Sequence, residues 1–354
     1  MSAAAKIAVD AIDGYLRSGD IIDVRSPGEF AEDFIPGAVN HPVLDNDERA
    51  AVGTVNKQQS PFEAKRMGAA LVTKNIGEMI ATHFAEKPKD WSPLIYCWRG
   101  GKRSGVTAYL LREIGFNAVQ LDGGYKAFRA RVHDDLETLP SKFRYVTLCG
   151  CTGTGKTALL HALTRSGAQV IDLEGIANHR GSLLGATDTP QPSQKRFDTE
   201  LWNTLRALDP ARPVFVESES KKIGLVQMPE SMRVAMKQGE CAWIEVPLAA
   251  RVAHIRGEYS NFVADPHALV DKLEPLKPLR GAKLLAQWRA QAESKDIDAL
   301  FASLMVDHYD PLYTAAIKNN YANLASAEAV ALDDVSVAAL DVAAEALRRR
   351  FDAI

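Results

Sequence analysis

The amino-acid sequence predicts an α/β protein with two parallel-sheet domains. Short apolar segments that are typical of buried strands alternate with amphipathic segments that are typical of helices, once in each half of the chain. A chain of 354 residues is also long for a single hydrophobic core. We therefore expect a first domain at residues 1–139, with an insert at about 41–90, and a second domain at residues 140–354.

In the first domain, three apolar segments are predicted to be buried strands. The strands are Ile21–Val24, Leu94–Tyr96 and Ala118–Leu121, and a helix is predicted at Ser104–Ile114. The polar segment Asp134–Lys142, which contains a proline, is interpreted as the linker between the domains.

The second domain is predicted to be a P-loop nucleotide-binding-like α/β domain with helical additions, because five buried strands alternate with helices. A long charged helix is predicted over about Arg280–Ser303, and a C-terminal helix over Ser336–Phe351. The predicted strands are Tyr145–Cys149, Gln169–Leu173, Pro213–Glu217, Ala242–Val246 and Ala329–Leu332.

Composition and charge limit the classes of protein that are compatible with the sequence. Hydrophobic residues make up 46% of the chain, charged residues make up 25%, and no apolar run reaches the length of a membrane span. The N-terminus lacks the pattern of a signal peptide, so we expect a cytoplasmic protein without membrane contact. Four cysteines do not form a disulfide scaffold, and their spacing is not that of a zinc site. A net charge of −3 is untypical of a nucleic-acid binder, although local basic patches are compatible with it.

The segment at residues 150–157, GCTGTGKT, matches the spacing G-x-x-x-x-G-K-[ST] and lies between a predicted strand and a predicted helix. Such a loop points successive backbone N–H groups, a helix N-terminus and a lysine at one anionic group. We therefore predict binding of a phosphate or diphosphate, whether of ATP or of another ligand. The residues expected to bind it are Gly150, Gly153, Thr154, Gly155, Lys156 and Thr157.

Glu217, at the end of a predicted strand, has the position of a carboxylate that orients a magnesium ion or a water molecule beside a P-loop. A carboxylate that simply faces solvent is an equal alternative. Asp172 and Glu174 follow another strand and have a similar, weaker claim. Magnesium is therefore a candidate cofactor that Thr157 would hold, and no metal ligand is firmly assigned.

The segment at residues 97–104, CWRGGKRS, follows a predicted strand and precedes a predicted helix. The helix N-terminus and the nearby cations stabilise a thiolate at Cys97, and two consecutive glycines let the loop curl around an anion. The alternative is a half-buried structural cysteine, which is the commoner role of cysteines in general. The positive surroundings favour a reactive thiol.

Four motifs of the first domain together resemble the rhodanese family. They are DVRSPGEF at 23–30, IPGAVN at 35–40, the loop that begins at Cys97, and LDGGY at 121–125. In that family the loop cysteine carries sulfur or selenium as a persulfide or its selenium analogue. The resemblance implies that Cys97 is catalytic. It also implies that an anion such as selenophosphate is bound by Arg99, Gly100, Gly101 and Arg103.

The order of rhodanese domain, insert and P-loop domain is similar to that of the tRNA 2-selenouridine synthase family, over nearly the whole chain. Members of that family act on 2-thiouridine at the tRNA wobble position. They exchange its sulfur for selenium from selenophosphate, and they attach a geranyl group from geranyl diphosphate. The resemblance implies these two co-substrates, tRNA as the partner, and a selenophosphate supply enzyme as a further partner. The P-loop is then expected to bind the diphosphate of the prenyl donor.

Two other functions remain open. One is an ATP-dependent kinase or ATPase fused to a sulfur-carrying rhodanese, and the other is a regulatory nucleotide-binding module. For tRNA, Trp98 is a candidate for base stacking, with a loop-anchoring role equally compatible. The basic candidates, each of which alone is more typical of a solvated face, are Lys195-Arg196, Lys221-Lys222, Arg251 with Arg256, Lys272–Lys283 and Arg348–Arg350.

Overall fold

The computed structural model describes residues 5–352 and separates into two compact units. Unit 1 consists of Met1–Asp135 and Pro192–Asn203, and unit 2 consists of Leu136–Gln191 and Thr204–Ile354. Both units are α/β structures, in agreement with the predicted fold class. Pro192–Asn203 lies far along the chain from the rest of unit 1. The sequence could not predict that it belongs there, because periodicity and motifs report only on neighbouring residues.

Unit 1 alternates strands and helices along the chain. Its elements are β1 (Lys6–Ile7), α1 (Asp13–Ser18), β2 (Ile21–Asp23), α2 (Pro27–Glu32), β3 (Ala38–Asn40), α3 (Asn46–Gln58), α4 (Pro61–Met79), β4 (Leu94–Tyr96), α5 (Lys102–Ile114), β5 (Val119–Leu121) and α6 (Gly124–Thr138). Among the described residues of this unit, the strands form one parallel sheet in the order β1-β5-β4-β2-β3. The predicted strands and the helix are confirmed. The edge strands β1 and β3 were missed because they are only partly buried and contain a polar residue, so they do not read as apolar runs.

The parallel arrangement brings the ends of β2 and β4 together, since parallel strands finish at the same edge of a sheet. Asp23 pairs in register with Tyr96, and Cys97 is the next residue along the chain. Ligands of open parallel sheets bind beyond this carboxyl edge. The loop between β4 and α5 therefore starts at the edge where a site is expected.

The predicted insert folds as a helical hairpin on the core of unit 1. Asp45 and Glu48 form a capping box at the start of α3, with bonds of 2.7 and 3.1 Å between side-chain oxygens and backbone N–H groups. α4 begins at Pro61, a favoured first helical residue, after the cap Ser60. Ile76 of α4 is fully buried in the cluster that covers β2 and β4.

The division between the units falls after Asp135, inside the predicted linker Asp134–Lys142, but this segment is helical and not an irregular connection. α6 continues to Thr138, and a 3-10 turn, Leu139–Lys142, follows directly. Leu136 and Pro140 are buried, which favours an ordered segment over a flexible one. A proline is tolerated there because the first turn of a helix does not use its backbone N–H.

Unit 2 contains a second parallel sheet. Its elements are β6 (Tyr145–Cys149), α7 (Lys156–Arg165), β7 (Gln169–Ile171), α8 (Leu173–Ala177), α9 (Gln194–Ala207, which the division cuts at Asn203), β8 (Val214–Glu217), β9 (Lys222–Ile223), β10 (Val226–Gln227), α10 (Glu230–Gln238), β11 (Glu240–Glu245), α11 (Leu248–Glu258), α12 (Ser260–Ala264), α13 (Pro266–Leu273), α14 (Lys277–Arg280), α15 (Ala282–Glu293), α16 (Ile297–Leu304), α17 (Asp310–Asn320), β12 (Glu328–Ala331) and α18 (Val337–Asp352). Within its described residues, the main sheet has the order β12-β11-β6-β8-β7. The five predicted strands are confirmed, and β6 lies at the centre, where ligands bind in such sheets.

The helical additions, α11 to α17, lie between β11 and β12 and have their own apolar cluster around Trp288. The single helix predicted over about Arg280–Ser303 is wrong, because the chain breaks between α15 and α16. Lys295 there has a φ of 56°, and Asp296 then caps α16 by accepting a bond from the Ala299 N–H. Across residues 5–352, every helix falls short of the length or the apolarity that a bilayer crossing needs.

Candidate active sites: a cysteine loop and a P-loop

Cys97 follows β4 directly and is 3% exposed. The Ser104 hydroxyl donates a hydrogen bond to its Sγ over 3.1 Å. A hydrogen-bond donor and the positive end of the α5 dipole therefore face this loop. This geometry suits the reactive thiol that is predicted at Cys97.

The loop after Cys97 is tied to the neighbouring strand β5. The carboxamide nitrogen of Gln120 donates to the carbonyl oxygens of Gly100 and Gly101 over 2.7 and 2.9 Å. Gln120 is 2% exposed. Both predicted anion-binding glycines are therefore held in position by one buried side chain.

Gly124 lets the start of α6 approach the same loop. The N–H of Tyr125 donates to the Cys97 carbonyl oxygen over 2.9 Å. Gly124 has a φ of 58°, and a Cβ at this position would lie 2.2 Å from the Cys97 carbonyl oxygen and 2.3 Å from the Gly100 nitrogen. A residue with a side chain cannot occupy this site without moving the loop, which explains the second glycine of the LDGGY motif.

The two arginines predicted to bind the anion have different surroundings. Arg99 is exposed beside the loop. Arg103 donates to Glu29 over 2.8 Å. Burial opposes ionisation of Glu29, yet the Arg103 guanidinium holds the pKa of that carboxyl below its usual range. Arg103 thus anchors the start of α5 in this structure, and Arg99 is the arginine that solvent reaches.

The DVR motif has a structural role. Arg25 donates to Asp23 over 2.6 Å and to the Asp33 carbonyl oxygen over 2.7 Å. Its guanidinium also lies 4.0 Å from the centre of the Tyr125 ring. Arg25 and Asp23 are at most 1% exposed, so the pair ties β2 to its neighbours inside the fold.

In unit 2, the P-loop links β6 to α7 as predicted. Lys156, the first residue of α7, donates from Nζ to the Gly150 carbonyl oxygen over 2.9 Å. The ammonium also lies 4.7 Å from the centre of the Tyr313 ring. The hydroxyl of Thr154 donates back to the Cys151 carbonyl oxygen over 2.9 Å and closes the turn. The Lys156 ammonium is thus bonded to a backbone carbonyl oxygen, which the oxygen of an incoming phosphate can replace.

Thr157 lies between two carboxylates. Its Oγ1 is 3.1 Å from Oε2 of Glu174 and 3.1 Å from Oε2 of Glu217. The Glu174 N–H also donates to Glu217 over 2.9 Å. Burial, followed by repulsion from Glu174, raises the pKa of Glu217 well above its ordinary value, and burial raises that of Glu174. The structure thus brings together Thr157, Glu217 and the weaker candidate Glu174.

Glu219 joins this carboxylate cluster. Burial and the adjacent Glu174 raise the pKa of Glu219 to about 8. Gly181, in the loop after α8, has a φ of 64°, and a Cβ there would lie 2.7 Å from Glu219 Oε1. The loop backbone therefore covers the carboxylates closely, and a side chain at Gly181 would displace them.

Arg251 reaches the P-loop from α11. Its guanidinium donates to the Thr152 carbonyl oxygen over 3.0 Å and to both oxygens of Asp310 over 3.0 and 2.8 Å. Arg251 is 7% exposed. The interpretation of Arg251 as a tRNA contact is therefore wrong, since the buried residue braces the P-loop from inside. Arg256 is exposed and pairs with Asp298 over 3.0 Å.

Other candidates have ordinary surroundings. Trp98 is half-buried against the Tyr125 ring, with 5.3 Å between the centres. Cys149 is fully buried, which suits a packing role. All four cysteines are free in the structure.

Sequence reasoning missed Gln120, Glu219 and Asp310. Gln120 could have been found as a polar residue inside a predicted buried strand. Glu219 follows Glu217 by two residues, so it could have been found as a second carboxylate near the end of the same strand. Asp310 is 59 residues from Arg251, and only the tertiary structure pairs them.

Comparisons with known proteins cover both units. Residues 143–273 match the family described as tRNA 2-selenouridine synthase AAA domain, and residues 8–131 match the Rhodanese-like domain. A tRNA 2-selenouridine synthase of Marinobacter nauticus is 32% identical over 336 residues, which cover 86% of this chain and 90% of that relative. A second, of Nitrosomonas europaea, is 36% identical over 252 residues, which cover 69% of this chain and 64% of that relative.

Among solved structures, a rhodanese-related protein from Thermoplasma volcanium aligns with 36% of this chain and 92% of its own chain, at 16% identity and a TM-score of 0.24.

The match with the Nitrosomonas europaea relative spans slightly less than two thirds of that protein, whereas the match with the Marinobacter nauticus relative is nearly full length. With 32% identity over 90% of a curated relative, the chain belongs to the tRNA 2-selenouridine synthase family.

Proposed function

We propose that this chain is an enzyme that converts 2-thiouridine at the tRNA wobble position into 2-selenouridine, with S-geranylation as the first step. The observation that carries the proposal is the presence, in a member of this family, of two loops that each follow a parallel strand and precede a helix, one with Cys97 and one with Lys156. Each loop suits one of two steps in which the donor is a phosphate compound.

The first step joins the thiocarbonyl sulfur of the base to C1 of the geranyl group. As the C–S bond forms, the C1–O bond breaks, the diphosphate leaves with the electron pair, and the base loses its N3 proton. The Lys156 ammonium and the N–H groups of residues 153–157 stabilise the negative charge that develops on the diphosphate. The contact of 2.9 Å between Lys156 Nζ and the Gly150 carbonyl oxygen supports this role, because the ammonium is already aimed into the loop.

The second step replaces the alkylated sulfur by selenium. The selenium atom of selenophosphate adds to C2, the C2–S bond breaks, and geranyl thiol leaves with one proton. Water then cleaves the Se–P bond and releases phosphate, so the sequence needs no oxidant or reductant. Alkylation comes first because a thiocarbonyl sulfur is a poor leaving group, whereas a thiol departs readily. We expect another enzyme to supply the selenophosphate.

Cys97 acts in this second step, where it handles the selenium donor or the departing thiol. The hydrogen bond from Ser104 fixes the position of its sulfur, which supports this role. The exposed Arg99 next to the loop supports the approach of an anion.

Magnesium would be held at the P-loop by Thr157 together with Glu217 and Glu174. Hydroxyl and carboxylate oxygens are the ligands that this ion prefers, and two carboxylates that face one hydroxyl favour a cation. Among residues 5–352, no group of three or more Asp, Glu, His or Cys side chains is arranged to hold a metal. Water and the diphosphate would therefore complete the ligand set, and the ion would neutralise part of the diphosphate charge.

The test is mass analysis of the wobble nucleoside after incubation of the protein with thiolated tRNA and geranyl diphosphate, with and without selenophosphate. We expect S-geranyl-2-thiouridine without selenophosphate and 2-selenouridine with it. Neither product would appear if the chain were a kinase, an ATPase or a regulatory nucleotide-binding module.

Two variants separate the steps. Lys156→Ala should abolish geranylation, and Lys142→Ala, which removes an exposed lysine elsewhere in unit 2, should not. Cys97→Ser should lose selenation and keep geranylation. Intact geranylation in Lys156→Ala would refute the P-loop assignment, and equal loss of both activities in Cys97→Ser would refute the division of labour.

A further inference from the structure

We propose that Gln120 is a positioning residue for Cys97: its buried carboxamide aims the Ser104 hydroxyl at the sulfur and orients the N–H groups of the loop. Gln120 lies in β5, next to β4 in the sheet, and is 2% exposed. The inference concerns the reactivity of the thiol, so it holds whichever compound Cys97 handles.

A single atom of Gln120 contacts three oxygens of the loop. Its Nε2 lies 2.7 and 2.9 Å from the carbonyl oxygens of Gly100 and Gly101 and 2.8 Å from Oγ of Ser104, so one of its two hydrogens is shared between two of these oxygens. Carbonyl oxygens only accept hydrogen bonds, so the atom that faces them is the amide nitrogen and not the amide oxygen. The orientation of the carboxamide therefore follows from its partners.

Ser104 connects this carboxamide to the sulfur. Because Ser104 Oγ accepts a bond from Gln120, its own hydrogen points towards another acceptor. Cys97 Sγ lies at 3.1 Å, whereas the Gly101 carbonyl oxygen lies at 3.4 Å, a long distance for a bond between two oxygens. The hydroxyl hydrogen therefore points to the sulfur, where it can stabilise negative charge on that atom.

The same bonds orient the backbone donors of the loop. In a planar trans peptide, the C=O and N–H groups point in opposite directions. Since the carbonyl oxygens of Gly100 and Gly101 face Gln120, the N–H groups of Gly101 and Lys102 point away from it. Gly101 and Lys102 are exposed, so an anion that approaches the loop meets donors that are already aligned.

A buried carboxamide inside a strand also requires an explanation. An amide without partners in the protein interior costs about 1–3 kcal/mol, and an apolar side chain would suit a strand interior equally well. The loop supplies partners for Gln120 that no apolar residue could use, and all of them lie within eight residues of the chain, between Cys97 and Ser104. Control of the loop is therefore the role that this side chain fits.

The test is the rate at which iodoacetamide alkylates Cys97, followed by mass analysis of the peptide that contains it. At about pH 6 the rate follows the fraction of thiolate, whereas at about pH 10 nearly every thiol is ionised. Gln120→Leu and Ser104→Ala should each lower the rate about tenfold at the lower pH, which corresponds to about one unit in the midpoint of the pH profile. At the higher pH both variants should match the wild type.

A matched control is Gln169→Leu in unit 2. Gln169 also donates to two backbone carbonyl oxygens, those of Asp209 and Arg212, over 3.0 and 3.4 Å. Its loss removes the same chemical group from a half-buried position in the other unit, so the alkylation rate of Cys97 should not change at either pH.

Two results would overturn the proposal. Equal loss of rate at both pH values would mean that Gln120→Leu only blocks access to the thiol or disturbs the fold. An unchanged rate at the lower pH would mean that the carboxamide does not act on the sulfur. If Gln120→Leu does not fold, Ser104→Ala removes one hydroxyl only, and an unchanged rate in that variant would refute the connection through Ser104. The assay uses neither tRNA nor selenium, so it is independent of the proposed reaction.

Discussion

Replacement of Glu219 by glutamine should make the stability of the protein less dependent on pH. Burial, and then repulsion from the Glu174 carboxylate, raise the pKa of Glu219 from the ordinary 4.5 to about 8. The folded protein therefore keeps a proton on this side chain at neutral pH, whereas the unfolded chain has lost it. Glutamine has the same shape and no proton to lose, so it resembles the protonated glutamate at every pH.

The direction and size of the effect follow from this difference in bound protons. Between the two pKa values the native state binds more protons, so stability is complete below the lower value and falls as pH rises through the higher one. For a shift of this size, linkage predicts a loss of about 2 kcal/mol between about pH 6.5 and about pH 8.5. Burial also raises the pKa of Glu217 and Glu174, which adds to the loss. Half-buried histidines such as His41 do not explain a loss of stability in this window. Burial lowers the pKa of His41 from the ordinary 6.5 to about 4, so its effect on stability falls at lower pH.

The measurement is urea unfolding at several pH values, followed by tryptophan fluorescence and by circular dichroism. Glu219→Gln should be more stable than the wild type across the whole window, and the difference should grow by about 2 kcal/mol from its lower to its upper end. Glu245→Gln removes an exposed carboxylate at the end of β11 and should show the wild-type dependence on pH. A wild-type stability that is flat or rises over this window would refute the reasoning. So would a Glu219→Gln variant that keeps the full wild-type slope, since the proton would then lie elsewhere.

Arg251→Met should lower the free energy of unfolding by about 2 kcal/mol, because it leaves the Asp310 carboxylate largely buried without its partner. Asp310→Leu in the same chain should recover most of that loss in urea unfolding, and strictly additive losses would contradict the pairing. Gly124→Ala should abolish alkylation of Cys97, because the new Cβ would lie 2.2 Å from a carbonyl oxygen of the loop. Gly101→Ala, where nothing lies within 4 Å of an added Cβ, should retain it, and equal effects of the two changes would argue against the close approach. Geranyl diphosphate should raise the melting temperature more than ATP does, and the reverse order would favour the kinase or ATPase alternative.

Both loops could be predicted because each is a short continuous segment with a recognisable neighbourhood. The P-loop needs only its own eight residues, a buried strand before it and a helix after it, and β6 and α7 provide these. Strands β4, β6 and β8 were visible for a related reason: they are buried on both faces and read as apolar runs. Errors arose where a local pattern was ambiguous, as at Lys295, whose left-handed backbone splits a predicted helix.

The fold class, the two loops and the family follow from sequence alone, because motifs and periodicity are properties of neighbouring residues. Tertiary structure decided which charged and polar groups are paired and which are buried. It joins Arg251 to Asp310 across 59 residues, places Thr157 between two carboxylates, and turns Gln120 towards the cysteine loop. It also groups Pro192–Asn203 with unit 1. Such pairings depend on distances between segments remote in sequence, and each pKa depends on burial, which no single segment determines.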